Sequence, residues 1–219
     1  MGLRARLATP ITVVTVVVAA LGLAVELVHL ARHTDAVEAA VGLLSLSYEQ
    51  NLPTWYASSL LLACAALLAA IADDAGARRR RFHRHWWVLA AGFAAMSLDE
   101  VSELHERLGG LIAPASDVLY FDWVIPAGVA VAAIAIAFVP FLRALPPRRR
   151  RDVLLAAALY LGGALAMELP LGWWTARHGD GGGGYALIDW VEETLELAGA
   201  SWFLLVLAAR WDQRAEAAP

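Results

Sequence analysis

The 219-residue chain contains no lysine, so its permanently cationic side chains are all arginines, 17 in number. It has one cysteine, Cys64, which excludes an intramolecular disulfide. Long polar stretches are also scarce: the longest connections between apolar runs, about 31–53, 106–122 and 171–187, leave no room for a separate soluble module. We therefore expect one domain spanning residues 1–219.

Apolar residues fill most of the chain. They make up 60% of it, with a mean hydropathy of +0.58, whereas soluble domains lie nearer half apolar. A transmembrane helix needs about 20 mostly apolar residues. Six stretches meet or approach that length, at about 11–30, 54–72, 86–105, 123–142, 153–170 and 188–209. The sequence predicts an all-α polytopic membrane protein, a bundle of six transmembrane helices.

The arginines are divided unevenly between the two sides of such a bundle. Fourteen of the 17 fall before the first stretch, between stretches two and three, between four and five, or after the sixth. Because loops rich in Lys and Arg stay in the cytoplasm, both termini are expected to be cytoplasmic. The first apolar run is long for a cleaved signal peptide, so we expect it to be a retained helix. The chain is then a multi-pass protein of a bacterial-type cytoplasmic (inner) membrane.

Two arginine clusters, "RRRRFHRH" (78–85) and "PPRRRR" (146–151), are similar in composition to nucleic-acid-binding patches. Each directly adjoins a predicted membrane helix, where topology and contact with anionic membrane lipids account for it better. We expect lipids as partners and no nucleic acid.

Acidic residues gather on the opposite, outer side, most densely in "SLDEVSELHERLGG" (97–110). Trp86 marks the inner membrane interface, and the 11 residues from Trp86 to Met96 span only about 16 Å. The hydrocarbon core is about 30 Å thick. Asp99, Glu100 and Glu103 should therefore lie within the membrane, where charged side chains normally face the bundle interior.

Helical spacing predicts that these acids converge on one pocket. Met96, Asp99, Glu103 and Glu106 share one helical stripe, and so do Asp189, Glu192, Glu193 and Glu196. "DWVE" (189–192) also matches a capping box, which would give Asp189 and Glu192 a purely structural role at a helix start. Several ionised carboxylates in one apolar pocket need protons or a metal ion to neutralise them.

A metal ion is the interpretation we favour. "ELVH" (26–29) is Glu-x-x-His, the spacing used in carboxylate di-metal bundles. Carboxylates with one or two imidazoles suit Fe, Mn, Mg or, less well, Zn. A zinc site of His29, His33 and His105 is an alternative. The predicted metal ligands are Glu26, His29, Asp99, Glu100, Glu103, His105, Glu106, Glu168, Glu193 and Glu196.

The sequence thus predicts a metal-dependent membrane enzyme, a hydrolase or oxidase acting on a lipid or other apolar substrate. Glu103 and Glu196 are the predicted catalytic carboxylates, one of them a general base. Two alternatives stay open: a cation- or proton-handling transporter or channel, and a non-catalytic membrane subunit. The acids do not follow an inverted repeat of helices 1–3 and 4–6, which is unlike inverted-repeat carriers.

Overall fold

The computed structural model describes residues 1–104, 124–179 and 182–216, and the regular secondary structure of these residues is entirely helical. They form eight α-helices and one π-helical segment. The elements are α1 (Leu3–Ala31), α2 (Asp35–Leu44), α3 (Leu52–Ala77), α4 (His83–Ser102), α5 (Val124–Ala144), α6 (Pro147–Leu161), the π segment (Gly162–Met167), α7 (Glu168–His178) and α8 (Gly183–Glu216).

Helix α8 lies at the centre of the bundle and packs on α1, α3, α6 and the π segment, while α3 also packs along α4. The buried core is built mainly from apolar residues of α3 and α8. Its most deeply buried members include Leu61, Cys64, Leu68, Leu197 and Leu207. Helix α5 joins this core through Phe141, which packs edge-to-face on Trp86.

Four helical passes are long and apolar enough to cross a membrane: α1, α3, α5 and the continuous pass from Pro147 to His178. Their apolar surface is largely turned outward, with side chains such as Val16 and Ile136 exposed. So much exposed apolar surface is typical of contact with lipid rather than water. Helices α4 and α8 fall outside this set, and both carry the acidic residues of the sequence motifs.

Several helix bounds differ from those expected. The segment 31–53 contains α2, which begins where the Thr34 side chain accepts a hydrogen bond from the Val37 amide. The predicted helix 86–105 ends at Ser102, because Glu103 takes a left-handed conformation with φ 52°. The expected helix 153–170 continues through the π segment to His178.

The first turn of α1 and the last turns of α8 lie at the same end of the bundle, which we call the basic end because Arg4, Arg78 and Arg214 lie there. There the Asp212 carboxylate accepts hydrogen bonds from the amides of Leu3, at 2.6 Å, and Arg4, at 3.0 Å. Arg214 lies 3.9 Å from Asp74 near the end of α3. The end of α4 and the start of α8 therefore lie at the opposite end, together with their acidic residues.

Candidate functional site

A cavity of about 500 Å³ lies at the end of the bundle opposite the basic end, and we call it the acidic cavity. Its walls come from α3, α4, α5, α8, the pass from α6 to α7, and the connection between α2 and α3. Nine carboxylate side chains line it: Glu49, Asp99, Glu100, Glu103, Glu168, Asp189, Glu192, Glu193 and Glu196. None of the described residues that line it is basic.

Helix α8 supplies four of these carboxylates from one face, since Glu192, Glu193 and Glu196 follow Asp189 by three, four and seven residues. Glu192 is only 7% exposed. Its Oε2 atom and the Oδ2 atom of Asp189 are buried and have no hydrogen-bond partner among the described residues. Buried polar atoms normally have partners, so these two oxygens are suited to bind a proton or a cation.

Helix α4 contributes its final turn. Asp99 and Glu100 lie on that turn, and Glu103 follows it in the left-handed region. The Glu103 Oε1 atom accepts a hydrogen bond of 2.7 Å from Nε2 of Gln50, whose φ of 59° is also left-handed. Such backbone strain in non-glycine residues is concentrated at functional sites.

The π segment packs directly against the acidic face of α8. A Cβ atom at Gly163 would lie 2.6 Å from the Glu192 carbonyl oxygen and 2.7 Å from Cγ of Glu196, so only glycine permits this approach. Before the segment, Tyr160 lines the cavity together with Glu196. After it, Glu168 opens α7 and lines the cavity. Single π-helical turns inside α-helices occur frequently at functional sites.

Glu26 is buried on α1 but does not line the acidic cavity. One of its oxygens, Oε1, accepts a short hydrogen bond from the hydroxyl of Ser45, which is fully buried after α2. Glu26 is close enough to Asp189 for the two carboxylates to interact electrostatically. It therefore lies beside the cavity, behind the connection between α2 and α3.

His29 belongs to a different group from the one we expected. Its Nε2 atom lies 3.1 Å from Oε1 of Glu38 on α2, and Nδ1 of His33 lies 3.8 Å from the same oxygen. One ligand atom from each residue falls within 4.8 Å of the other two, so the group could hold a metal ion. We call His29, His33 and Glu38 the histidine corner. The side chains of His33 and Glu38 are mainly exposed.

Of the ten predicted metal ligands, the structure brings six to the acidic cavity and leaves Glu26 and His29 outside it; His105 and Glu106 lie outside the described residues. The six are Asp99, Glu100, Glu103, Glu168, Glu193 and Glu196. That any of them binds a metal stays a prediction.

The capping-box interpretation of Asp189 and Glu192 is wrong. Helix α8 begins at Gly183, so both residues lie inside the helix and face the cavity. Sequence reasoning also missed Glu38, Glu49, Tyr48 and Tyr185. The capping signal of Thr34 and the apolar spacing of Val37, Val41 and Leu44 could have revealed α2, and with it Glu38.

Comparison with known proteins identifies the family of the chain, and the description of that family names no activity. Residues 8–211 match the model of a family described as a domain of unknown function, DUF8692. No curated protein and no solved structure matches the chain.

Proposed function

Since the chain belongs to the DUF8692 family, whose function is unknown, we propose its function from the geometry of the acidic cavity. The protein is a metal-dependent membrane enzyme that acts on a lipid or another apolar substrate. One observation carries the proposal: nine carboxylates from separate elements line one cavity, and the described lining residues include no basic group. Carboxylate oxygens are the ligands preferred by Mg²⁺ and Mn²⁺ and are also used by Fe²⁺.

The remaining lining supports an apolar substrate. Ala127 and Val131 of α5 and Leu161 and Leu165 of the pass from α6 to α7 add hydrocarbon surface to the lining of the cavity. The cavity volume falls in the range of about 300–1,000 Å³ common for small-molecule sites. An acyl chain could lie along this wall while a polar group faces the carboxylates.

Glu196 and Glu103 are the proposed catalytic groups. Gln50 orients Glu103 by its hydrogen bond, and Tyr160 lies in the lining with Glu196. A carboxylate held in this way can take a proton from an attacking water as a general base. The ion would supply Lewis-acid activation of water or of a substrate oxygen. Asp189 and Glu192 are the first candidates to hold it, because each has a buried oxygen available, and Glu196 in the same lining is the third.

Transport is the weaker alternative, because among the described residues Glu196 is the last α8 residue that lines the acidic cavity. Beyond it the buried α8 residues are mainly apolar, including Leu197, Ala200 and Leu204, and the buried hydroxyl of Ser201 is hydrogen-bonded to Thr15 of α1. The three apolar residues pack in one core with Leu61 and Leu68 of α3. A one-sided cavity supports an enzyme or a binding protein better than a conduction path.

We further propose that α4 and α8 cross the membrane together with the four apolar passes, which makes six crossings. The acidic cavity then opens to the extracytoplasmic side of a bacterial inner membrane. The arginine distribution supports this orientation through the positive-inside rule. The start of α1 and the end of α8 lie together at the basic end, which suits an even number of crossings from α1 to α8.

The test is the thermal unfolding of the purified full chain in detergent, with chelator and then with Mn²⁺. An ion that binds only the folded state stabilises it by about 2.7 kcal/mol at a concentration 100 times its Kd. We expect chelator to lower the Tm, Mn²⁺ to restore it, and Glu196→Gln to abolish this response while the protein still folds. Asp73→Asn also converts a carboxylate to an amide, at an exposed position of α3 away from the cavity and the histidine corner, and should respond like the wild type.

Two results would contradict the proposal. In the first, the wild type contains no metal and neither chelator nor Mn²⁺ changes its Tm. The cavity would then bind protons or a partner protein, which supports the transporter and subunit alternatives. In the second, Glu38→Gln loses the Mn²⁺ response and Glu196→Gln keeps it, so that the ion binds at the histidine corner instead.

A further inference from the structure

The histidine corner has the ligand geometry of a second metal site, separate from the acidic cavity. We propose that His29, His33 and Glu38 bind a borderline transition-metal ion of the Zn²⁺ class, with two imidazole nitrogens and one carboxylate as ligands. This site does not depend on the function proposed for the cavity, because none of its three residues lines that cavity.

The local fold brings the three side chains together. Helix α1 ends at Ala31, and Arg32 is extended, with φ −150° and ψ 124°. Thr34 then caps α2, so that Glu38 lies in the first turns of α2, facing back towards His29. The two imidazole rings meet edge-to-face with centroids 5.0 Å apart, which leaves a nitrogen of each ring directed at Glu38.

The distances suit a tetrahedral ion. Ligand atoms about 2.05 Å from a tetrahedral Zn²⁺ lie about 3.3 Å from one another. The distances from Glu38 Oε1 to the two histidine nitrogens, 3.1 and 3.8 Å, lie on either side of that value. Binding would therefore require only small side-chain movements.

The ligand chemistry separates this site from the cavity. Two imidazoles and one carboxylate favour Zn²⁺ and its neighbours, whereas an all-carboxylate lining favours harder ions. Three protein ligands leave a fourth position for water or another molecule, as in zinc sites that are not purely structural. His33 is 72% exposed, so an ion held here would be accessible from solvent.

The experiment measures Zn²⁺ binding to the metal-stripped full chain by calorimetry, and Co²⁺ binding by its visible absorption. We expect one Zn²⁺ to bind and Co²⁺ to give the intense bands of tetrahedral coordination. His29→Ala and His33→Ala should each weaken Zn²⁺ binding at least tenfold, since even removal of an outer-shell partner costs about 10–100-fold. His83→Ala, a histidine at the start of α4, is the matched control and should bind as the wild type does.

Glu196→Gln separates the two sites. If this variant keeps Zn²⁺ binding and the tetrahedral Co²⁺ bands, the ion is at the histidine corner, whether or not the acidic cavity also binds a metal ion. The proposal is overturned if His29→Ala and His33→Ala bind Zn²⁺ as tightly as the wild type. The histidine corner would then be only a hydrogen-bonded contact between α1 and α2. The proposal is equally overturned if Glu196→Gln alone removes Zn²⁺ binding. The exposure of His33 makes His33→Ala the deciding variant should His29→Ala fail to fold.

Discussion

At the residue scale, the buried carboxylate of Glu26 accepts a hydrogen bond from a serine hydroxyl. Ser45 has no exposed surface, and its Oγ atom donates to Glu26. The same Oγ accepts a hydrogen bond of 3.1 Å from the amide of Ser47, a residue that lines the acidic cavity. Ser45 therefore links α1 to the connection that forms one wall of the cavity.

Removal of this hydroxyl should destabilise the protein. We expect Ser45→Ala to lower the free energy of unfolding by about 1–3 kcal/mol, because a buried acceptor on Glu26 loses its donor. Chemical or thermal unfolding in detergent measures the change. Ser59→Ala, at an exposed serine of α3, is the control and should lie close to the wild type. Equal stability of the two variants would show that water replaces the lost donor.

The residue scale also shows where sequence spacing stops being informative. The stripe of Asp99 and Glu103 follows from helical periodicity, and both residues line the cavity. Periodicity alone could not place Glu103 in the left-handed region, since that depends on where α4 ends. Periodicity also could not show that Glu26 and His29, three residues apart, have different partners. Glu26 bonds with Ser45 after α2 and His29 with Glu38 on α2, and both partners belong to another segment of the chain.

Among the elements, the π segment depends on glycine for its position against α8. Gly163 faces the Glu192 carbonyl oxygen, whereas at Gly162 an added Cβ would meet nothing within 4 Å. The neighbouring glycines thus provide a matched pair, one at a close contact and one in open space.

We expect Gly163→Ala to lower the free energy of unfolding by about 1–3 kcal/mol, the usual cost of overpacking. It should also weaken the Mn²⁺ response, because the added methyl group displaces Glu196. Gly162→Ala should be neutral or slightly stabilising, since alanine is the better helix former by about 1 kcal/mol. Unfolding of the two variants, with and without Mn²⁺, is the measurement. A Gly162→Ala variant as unstable as Gly163→Ala would contradict the close-contact argument.

The element scale also explains what the sequence could and could not predict. The all-helical structure and four of the six predicted apolar passes are confirmed, because length and hydropathy are properties of a single segment. The π segment was not predicted, since "LGGALA" (161–166) reads equally well as a stripe of small residues for regular packing. The widened turn depends on contact with α8, which no local pattern encodes.

At the scale of the whole molecule, reporter fusions test the proposed topology. We expect reporter fusions after residues 80 and 148 and at the C-terminus to report the cytoplasm, because arginines surround these points. Fusions near residues 40 and 182 should report the outer side, as should one near 112, which lies outside the described residues. A cytoplasmic signal near residue 40 would place the acidic cavity and the histidine corner on the inner side of the membrane.

The hydrogen bonds between Asp212 and the first amides of α1 have a consequence for biosynthesis. The residues that they join are 209 and 208 positions apart. At about 5–20 residues per second, a ribosome needs about 10–40 s to make the chain between them. Helix α1 therefore leaves the ribosome well before Asp212 has been made, and its first amides gain this partner only after residue 212 has been synthesised.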